Sequence, residues 1–224
     1  LCMFEARNNL KICGITDPGT ARQCAEAGAG ALGVVFYEKS PRNVSPTQAR
    51  EIFRQVPASV ARVGVFVDMR AEDMVAMARG ADLDTVQMHG RESPAVIEAV
   101  MRAGFHVVKV LKTAGKNLAE EAGRIPQAAG ILVECGKGTL PGGNGSVWDW
   151  MGAAVLAGTR PFAVAGGLAP ANLGQAALRS RSDAWDVSSG VELSPGRKDP
   201  AAVAELLDVA RRLAPCERLF WKKS

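Results

Sequence analysis

Short apolar runs rich in β-branched residues recur along the chain, beginning at Leu10, Ala31, Ala61, Thr85, Phe105, Gly130, Pro161 and Trp185. They read LKICG, ALGVVF, ARVGVFV, TVQMHG, FHVVKVL, GILVEC, PFAVAGG and WDVSSG. Several are apolar at successive positions rather than alternate ones, as parallel strands buried on both faces require. Their starts lie roughly 20–30 residues apart, which leaves room for one helix in each gap.

The gaps carry helix punctuation. Asp17-Pro18, Ser45-Pro46, Ser93-Pro94 and Asp199-Pro200 each set a capping side chain before a proline, which loses nothing at the first helical position. Ser45 with Gln48 forms a capping-box pattern. Ala49, Ile52, Phe53 and Val56, like Val203, Leu206, Leu207 and Ala210, follow the i, i+3, i+4, i+7 spacing of a buried helical stripe. Gly28 and Gly104 stand where helices should stop. Eight strand–helix units without a long linker predict an α/β fold, a single closed (β/α)8 TIM barrel of parallel strands. The domain spans residues 1–224, the barrel about 10–214, with 1–9 and 215–224 as flanking tails. The tail CERLFWKKS is expected to pack loosely and receives no role. A doubly wound open sheet is the alternative, but no GxGxxG follows the first strand.

Composition narrows the function. The net charge of +4 is mild, its lysines and arginines are dispersed, and aromatics make up only 5%. That suits a small anionic ligand and gives poor support to nucleic-acid binding. The five cysteines form no CxxC pair, which points to a reducing cytoplasm, and two histidines give a metal site few partners. No apolar run approaches the ~18 residues of a membrane span.

Active sites of such barrels lie at the C-terminal ends of the strands. Those ends carry Cys13, Asp68, His89, Lys109, Glu134, Gly166-Gly167 and Ser188-Ser189-Gly190. Period-two alternation puts Lys11 on the face of Cys13 and Gln87 on the face of His89. A thiol is a weak base until something favours the thiolate, and Lys11 is the expected source of that bias. Two glycine-rich segments, AGGLAPANL and SSGVELSPG, follow the last two strands, where many barrels hold phosphate on backbone N–H groups. Cys24 is read as core, and Cys135 as facing away from Glu134.

The ordered set KICGIT, GVVF, SPRNVS, VGVFV, VQMHG, GGNG with WDW, AGGLAPANL, and VSSGVE with GRKD runs from Lys11 to Asp199. In this set the chain resembles the phosphoribosylanthranilate isomerases of tryptophan biosynthesis. The resemblance implies an Amadori rearrangement of N-(5-phosphoribosyl)anthranilate to the aminoketose, with no cofactor and no metal. It implies Cys13 as general base and Glu134 as general acid, Arg42 on the anthranilate carboxylate, and Gly166, Gly167, Ser188, Ser189 and Gly190 around the phosphate. Lys11, Gln87, His89 and Asp186 complete the substrate site. His89 is equally open to a role in holding its loop, and Asp186 to organising the last loop by accepting backbone N–H bonds. The implied partner is a phosphorylated small molecule, and the chain a monomer or weak homodimer. Family members usually carry aspartate where Glu134 stands, and threonine where Asn144 stands. A histidine-pathway or dual-substrate sugar-phosphate isomerase of the same fold is a rival, opposed by Cys13 because those relatives use two aspartates. A non-catalytic barrel that binds a phosphorylated metabolite is another.

Overall fold

The structure, a computed structural model, describes residues 8–113, 117–127, 129–136, 148–213 and 220–221. The expected change in the GGNG segment, Asn144 included, lies outside the described residues. Eight parallel strands close into a barrel in chain order. They are β1 Leu10–Cys13, β2 Ala31–Phe36, β3 Ala61–Phe66, β4 Thr85–Met88, β5 His106–Lys112, β6 Gly130–Glu134, β7 Phe162–Ala165 and β8 Ala184–Val187. The helices that cross back between strands are α1 Pro18–Glu26, α2 Pro46–Phe53, α3 Ala71–Gly80, α4 Pro94–Arg102, α5 Leu118–Gly123 and α6 Leu173–Ser180. A 3-10 helix, Trp150–Leu156, lies between β6 and β7, and α7 Pro200–Arg212 follows the last loop. That loop holds a 3-10 turn, Ser189–Val191, and a small hairpin of β9 Glu192–Ser194 and β10 Arg197–Lys198.

The capping signals are realised as side-chain bonds. Asp17 accepts from the Thr20 N–H at 2.8 Å, and Asp199 from the Ala201 N–H at 2.9 Å. Ser45 and Gln48 form the reciprocal capping box at 3.2 and 2.8 Å. Gly28 and Gly104 follow α1 and α4 with φ of +97° and +102°.

Alternation along the strands sorts the core into two shells. Leu32, Val34, Phe66, Val86, Ile131, Val133 and Val164 point outward and pack under the helices. Ala31, Ala61, Val63, Val108, Leu132, Ala163 and Ala184 point inward and form a separate cluster. The inner residues are small because eight strands converge on one axis. Lys11, Cys13, Thr85, Gln87, Glu134 and Asp186 occupy further inward positions, so polar chemistry is built into the barrel core and its mouth.

The tail departs from expectation. Phe220 and Trp221 are buried, Trp221 completely, and both belong to the inner cluster. The Trp221 carbonyl accepts from the Thr85 hydroxyl at 2.5 Å, and its indole N–H donates to the Asn9 carbonyl at 2.9 Å. Small inner side chains leave a volume that an indole fills. The expected loose packing fails at these two residues.

Replacing Ser45 by Ala removes the acceptor of the capping box. The expected loss is about 1 kcal/mol, or roughly 2–4 °C in Tm for a chain of this size. Paired thermal melts of parent and variant check it, and an unchanged Tm contradicts it.

Candidate active site

Lys11 and Cys13 rise from β1 on one face, into space that Gly33 of β2 leaves open. A Cβ at Gly33 would lie 2.7 Å from Lys11 Cε and 3.0 Å from Cys13 Sγ. Lys11 Nζ donates to Asp186 Oδ2 on the neighbouring β8 at 2.9 Å, and both residues are buried. Burial pulls the Lys11 ammonium down, but Asp186 and Cys13 outweigh it and hold the group above its ordinary value. Burial likewise pushes the Cys13 thiol up; Lys11 opposes this, and Asp186 adds to it. Lys11 acts on Cys13 in the expected direction, favouring the thiolate, but burial outweighs it and the resting side chain is a thiol.

Across the barrel mouth, Glu134 ends β6 and is buried. Its Oε1 lies 2.7 Å from His89 Nε2, so the two side chains share a hydrogen bond whose proton resides on one or the other. His89 sits just past β4, in a loop braced from behind. Lys109 Nζ donates to the carbonyls of Met88 and Gly90 at 3.2 and 2.7 Å and to Glu92 Oε2 at 2.9 Å. Asp68 Oδ1 accepts from the Arg91 N–H at 2.6 Å in the same loop. Asp68 and Lys109 thus belong to the support of the rim. Lys109 has the opposite parity to the inward Val108 and Val110, and β5 continues to Lys112.

Arg42 crosses the mouth beside Cys13. Gly14, at φ +77°, makes this possible: a Cβ there would lie 2.4 Å from Arg42 Cδ. The guanidinium forms a bidentate pair with Glu192, Nε to Oε1 at 2.9 Å and Nη2 to Oε2 at 2.6 Å. Lys198 Nζ meets the same carboxylate at 2.7 Å and donates to the Ser188 carbonyl at 3.0 Å. Neither Glu192 nor Lys198 stood out in the sequence as a site residue. The available signals were their places in the segments VSSGVE and GRKD, on either side of the Pro195-Gly196 turn, with opposite charges facing across a hairpin.

The remaining rim residues surround the same mouth. Ser188 donates its hydroxyl to the Cys13 carbonyl at 3.1 Å, which ties the last loop to β1. Gly166 and Gly167 both have positive φ, and Trp148 covers the first of them, donating to the Ala165 carbonyl at 2.8 Å. Ser189 and Gly190 open the 3-10 turn, the first half-buried and the second exposed. Asp186 Oδ1 and Gln87 Oε1 are buried acceptors without a hydrogen-bond partner among the described residues. Cys24 lies in the core, where burial pushes its thiol up to about 11. Among the described residues no group of three or more His, Cys, Asp or Glu could hold a metal ion. No described helix is long and apolar enough to cross a membrane.

Burial works against the Glu192 carboxylate, but Arg42 and Lys198 outweigh it and hold the group below the usual carboxylate range. A carboxyl with a lowered folded value stabilises the protein above its unfolded value, and that contribution disappears as pH falls through the folded one. Glu192→Gln should therefore destabilise the protein by about 3–5 kcal/mol near neutral pH, since two cations lose their partner. The difference should narrow in acid below the ordinary carboxylate range. Denaturant melts of both proteins across that range check it; a difference independent of pH contradicts it.

Comparison with known proteins identifies the family. A family model described as N-(5'-phosphoribosyl)anthranilate (PRA) isomerase matches residues 10–209. The N-(5'-phosphoribosyl)anthranilate isomerase of Desulfatibacillum aliphaticivorans is 42% identical over 201 residues, which cover 90% of this chain and 92% of that protein. The phosphoribosyl anthranilate isomerase of Thermotoga maritima has the same fold, with a TM-score of 0.84 at 34% identity over 92% of this chain and 100% of that one. A phosphoribosyl anthranilate isomerase in complex with reduced 1-(o-carboxyphenylamino)-1-deoxyribulose 5-phosphate matches with a TM-score of 0.79 at 33% identity over 92% of this chain and 100% of that one. The chain belongs to the N-(5'-phosphoribosyl)anthranilate isomerase family, the enzymes that convert phosphoribosylanthranilate to its aminoketose in tryptophan biosynthesis.

Proposed function

We propose that Cys13 and Glu134 perform the two proton transfers of this isomerisation. The observation that carries the reading is the placement of one thiol and one carboxyl at strand ends on different sides of a single mouth. Opening the ribose ring requires a proton on the ring oxygen. Glu134 delivers it, and the nitrogen lone pair then forms the C1′ iminium as the C1′–O bond breaks. The iminium acidifies the C2′ hydrogen, which Cys13 removes as thiolate. The electrons of the C–H bond become the C1′–C2′ double bond, and those of the iminium return to nitrogen. Reprotonation at C1′ with loss of the C2′ hydroxyl proton gives the aminoketose. Each positioned proton transfer contributes about 10²–10⁴-fold.

His89 holds Glu134 through the 2.7 Å bond and fixes where its carboxyl points. Gln87 Oε1 and Asp186 Oδ1, acceptors that lack partners among the described residues, receive donors from the sugar hydroxyls. The phosphate lies on the backbone amides of Gly166, Gly167, Ser188, Ser189 and Gly190, a placement supported by the positive φ of the two glycines after β7, which lets backbone approach the oxygens closely; a relative binds a reduced product analogue that carries a 5-phosphate. Arg42 binds the anthranilate carboxylate, which takes the place of Glu192 on the guanidinium; Lys198 keeps Glu192 neutralised when that happens.

For assembly, a relative from Thermotoga maritima is dimeric. For this chain a monomer or weak homodimer is supported by its surface. The large apolar side chains exposed among the described residues are Met151, Val155, Leu178 and Leu193, too few for an obligate interface of about 2,000 Å² or more.

Cys13→Ala and Glu134→Gln should each lower kcat by about 10²–10⁴-fold. Glu134→Asp withdraws the carboxyl from His89 by on the order of 1 Å, enough for ~10²-fold. Loss of anthranilate-type fluorescence measures all three, and a glutamine variant as fast as the parent removes Glu134 from the mechanism.

The buried thiol sets the pH dependence. Below the raised thiol value, the thiolate fraction and hence kcat/KM should rise about tenfold per pH unit, continuing past the ordinary cysteine range. A profile already flat at neutral pH contradicts it.

A further inference from the structure

Phe220 and Trp221 lie beyond residues 10–209, the stretch that the family model matches, and belong to no strand or helix. Trp221 nevertheless is among the largest fully buried side chains of the protein, and so is Lys11. The indole fills the floor of the barrel, where Ala31, Ala61, Ala163 and Ala184 leave space. Three attachments fix it besides packing. Thr85 of β4 donates to its carbonyl, its indole N–H donates to the Asn9 carbonyl, and Phe220 N–H donates to Asn9 Oδ1 at 2.9 Å. The Phe220 carbonyl lies 3.0 Å from His106 Nε2 at the start of β5. The ring of Phe220 meets that of Trp221 edge-on, with centroids 4.9 Å apart.

Above the floor stands the catalytic cluster. Lys11 Nζ lies 5.3 Å from the Trp221 ring centroid, within the range of a cation–π contact. The same ammonium holds Asp186 and neighbours Cys13. We propose that Trp221 is a positioning residue of the isomerase: its ring supports the Lys11 ammonium from below, closes the barrel floor to water, and thereby holds the Lys11–Asp186 pair and the Cys13 sulfur in one geometry. The proposal rests on the reading of Cys13 as base, and it extends the functional assembly from the mouth to the opposite end of the barrel.

The physical reason lies in what the ring excludes. A floor of alanines without the indole is roomy enough for water, and the polar groups above it would hydrate that water. A hydrated Lys11 would no longer need one fixed partner, and Cys13 would lose part of the burial that raises its thiol. The charged groups acting on that thiol are Lys11 and Asp186 from the barrel and Arg42 and Lys198 from the rim. Only the first two stand near the floor, so a change at Trp221 acts through them.

Trp221→Leu keeps apolar bulk and removes the ring face; Trp221→Phe keeps a ring beneath the ammonium. In the leucine variant kcat should fall about tenfold, the size of a lost buried cation–π contact, with KM little changed. The rising limb of its pH–rate profile, and the Cys13 titration followed by NMR of 13C-labelled cysteine, should both move to lower pH. The phenylalanine variant should recover most of kcat and the parental limb. A folded leucine variant with the parental kcat and limb overturns the proposal, as do two variants equally impaired with the parental limb, the mark of plain packing. Should the leucine variant not fold, the indole N–H resonance of Trp221 in the unaltered protein is followed against pH. It is expected to shift with the Cys13 titration, and a resonance that does not move overturns the proposal. The thiol titration is independent of turnover: a fully active Cys13→Ala variant refutes the base, whereas an unmoved thiol in Trp221→Leu refutes the floor.

Discussion

Lys11 places an ammonium inside the barrel, wholly out of water, where an unpaired charge would cost several kcal/mol. The surrounding residues meet that constraint. Asp186 on the neighbouring strand supplies the counter-charge, Gly33 on the other neighbour gives up its side-chain volume, and the Trp221 ring lies beneath. Cys13 stands in the same space and takes its character from it. A buried ion pair with no net charge leaves desolvation as the dominant influence, so the thiol rests protonated and, once ionised, is a stronger base than an exposed cysteine.

The rim repeats this logic nearer to water. Glu192, on the loop between β8 and α7, is gripped by Lys198 of the same loop and by Arg42 from the loop between β2 and α2, and all three side chains are buried. A carboxylate already seated on Arg42 shows that the guanidinium is presented in the geometry a carboxylate needs. In the proposed substrate complex the second cation would leave Glu192 paired when a substrate carboxylate takes its place. On the other side of the mouth, Lys109 and Glu92 brace the loop of His89, which in turn fixes Glu134. Cys13 and Glu134, the proposed base and acid, are each neighboured by a partner that is itself held.

Much of this was legible in the residues. Runs such as ALGVVF and GILVEC, and caps such as Ser45 before Pro46, announce strands and helix starts because they act within a few positions. The shared face of Lys11 and Cys13 follows from alternation alone. What Lys11 does there does not, because its partner Asp186 is 175 residues away. Lys109 looked like a rim residue because FHVVKVL has no polar stop before it, and only the strand's full extent to Lys112 fixes the parity. Trp221 gave no periodic signal. Its burial depends on a space that four distant alanines leave, and a chain pattern does not display empty space.

The account turns on a thiol and a carboxyl that work on different sides of one sugar. A crystal structure of this protein with the reduced product analogue tests that most directly. It should place Cys13 Sγ in van der Waals contact with C2′, the Glu134 carboxyl on the other side of the sugar chain within reach of the ring-derived oxygen, and the phosphate against Gly167, Ser189 and Gly190. An analogue whose C2′ lies beside another basic group, with the sulfur turned away, would contradict it.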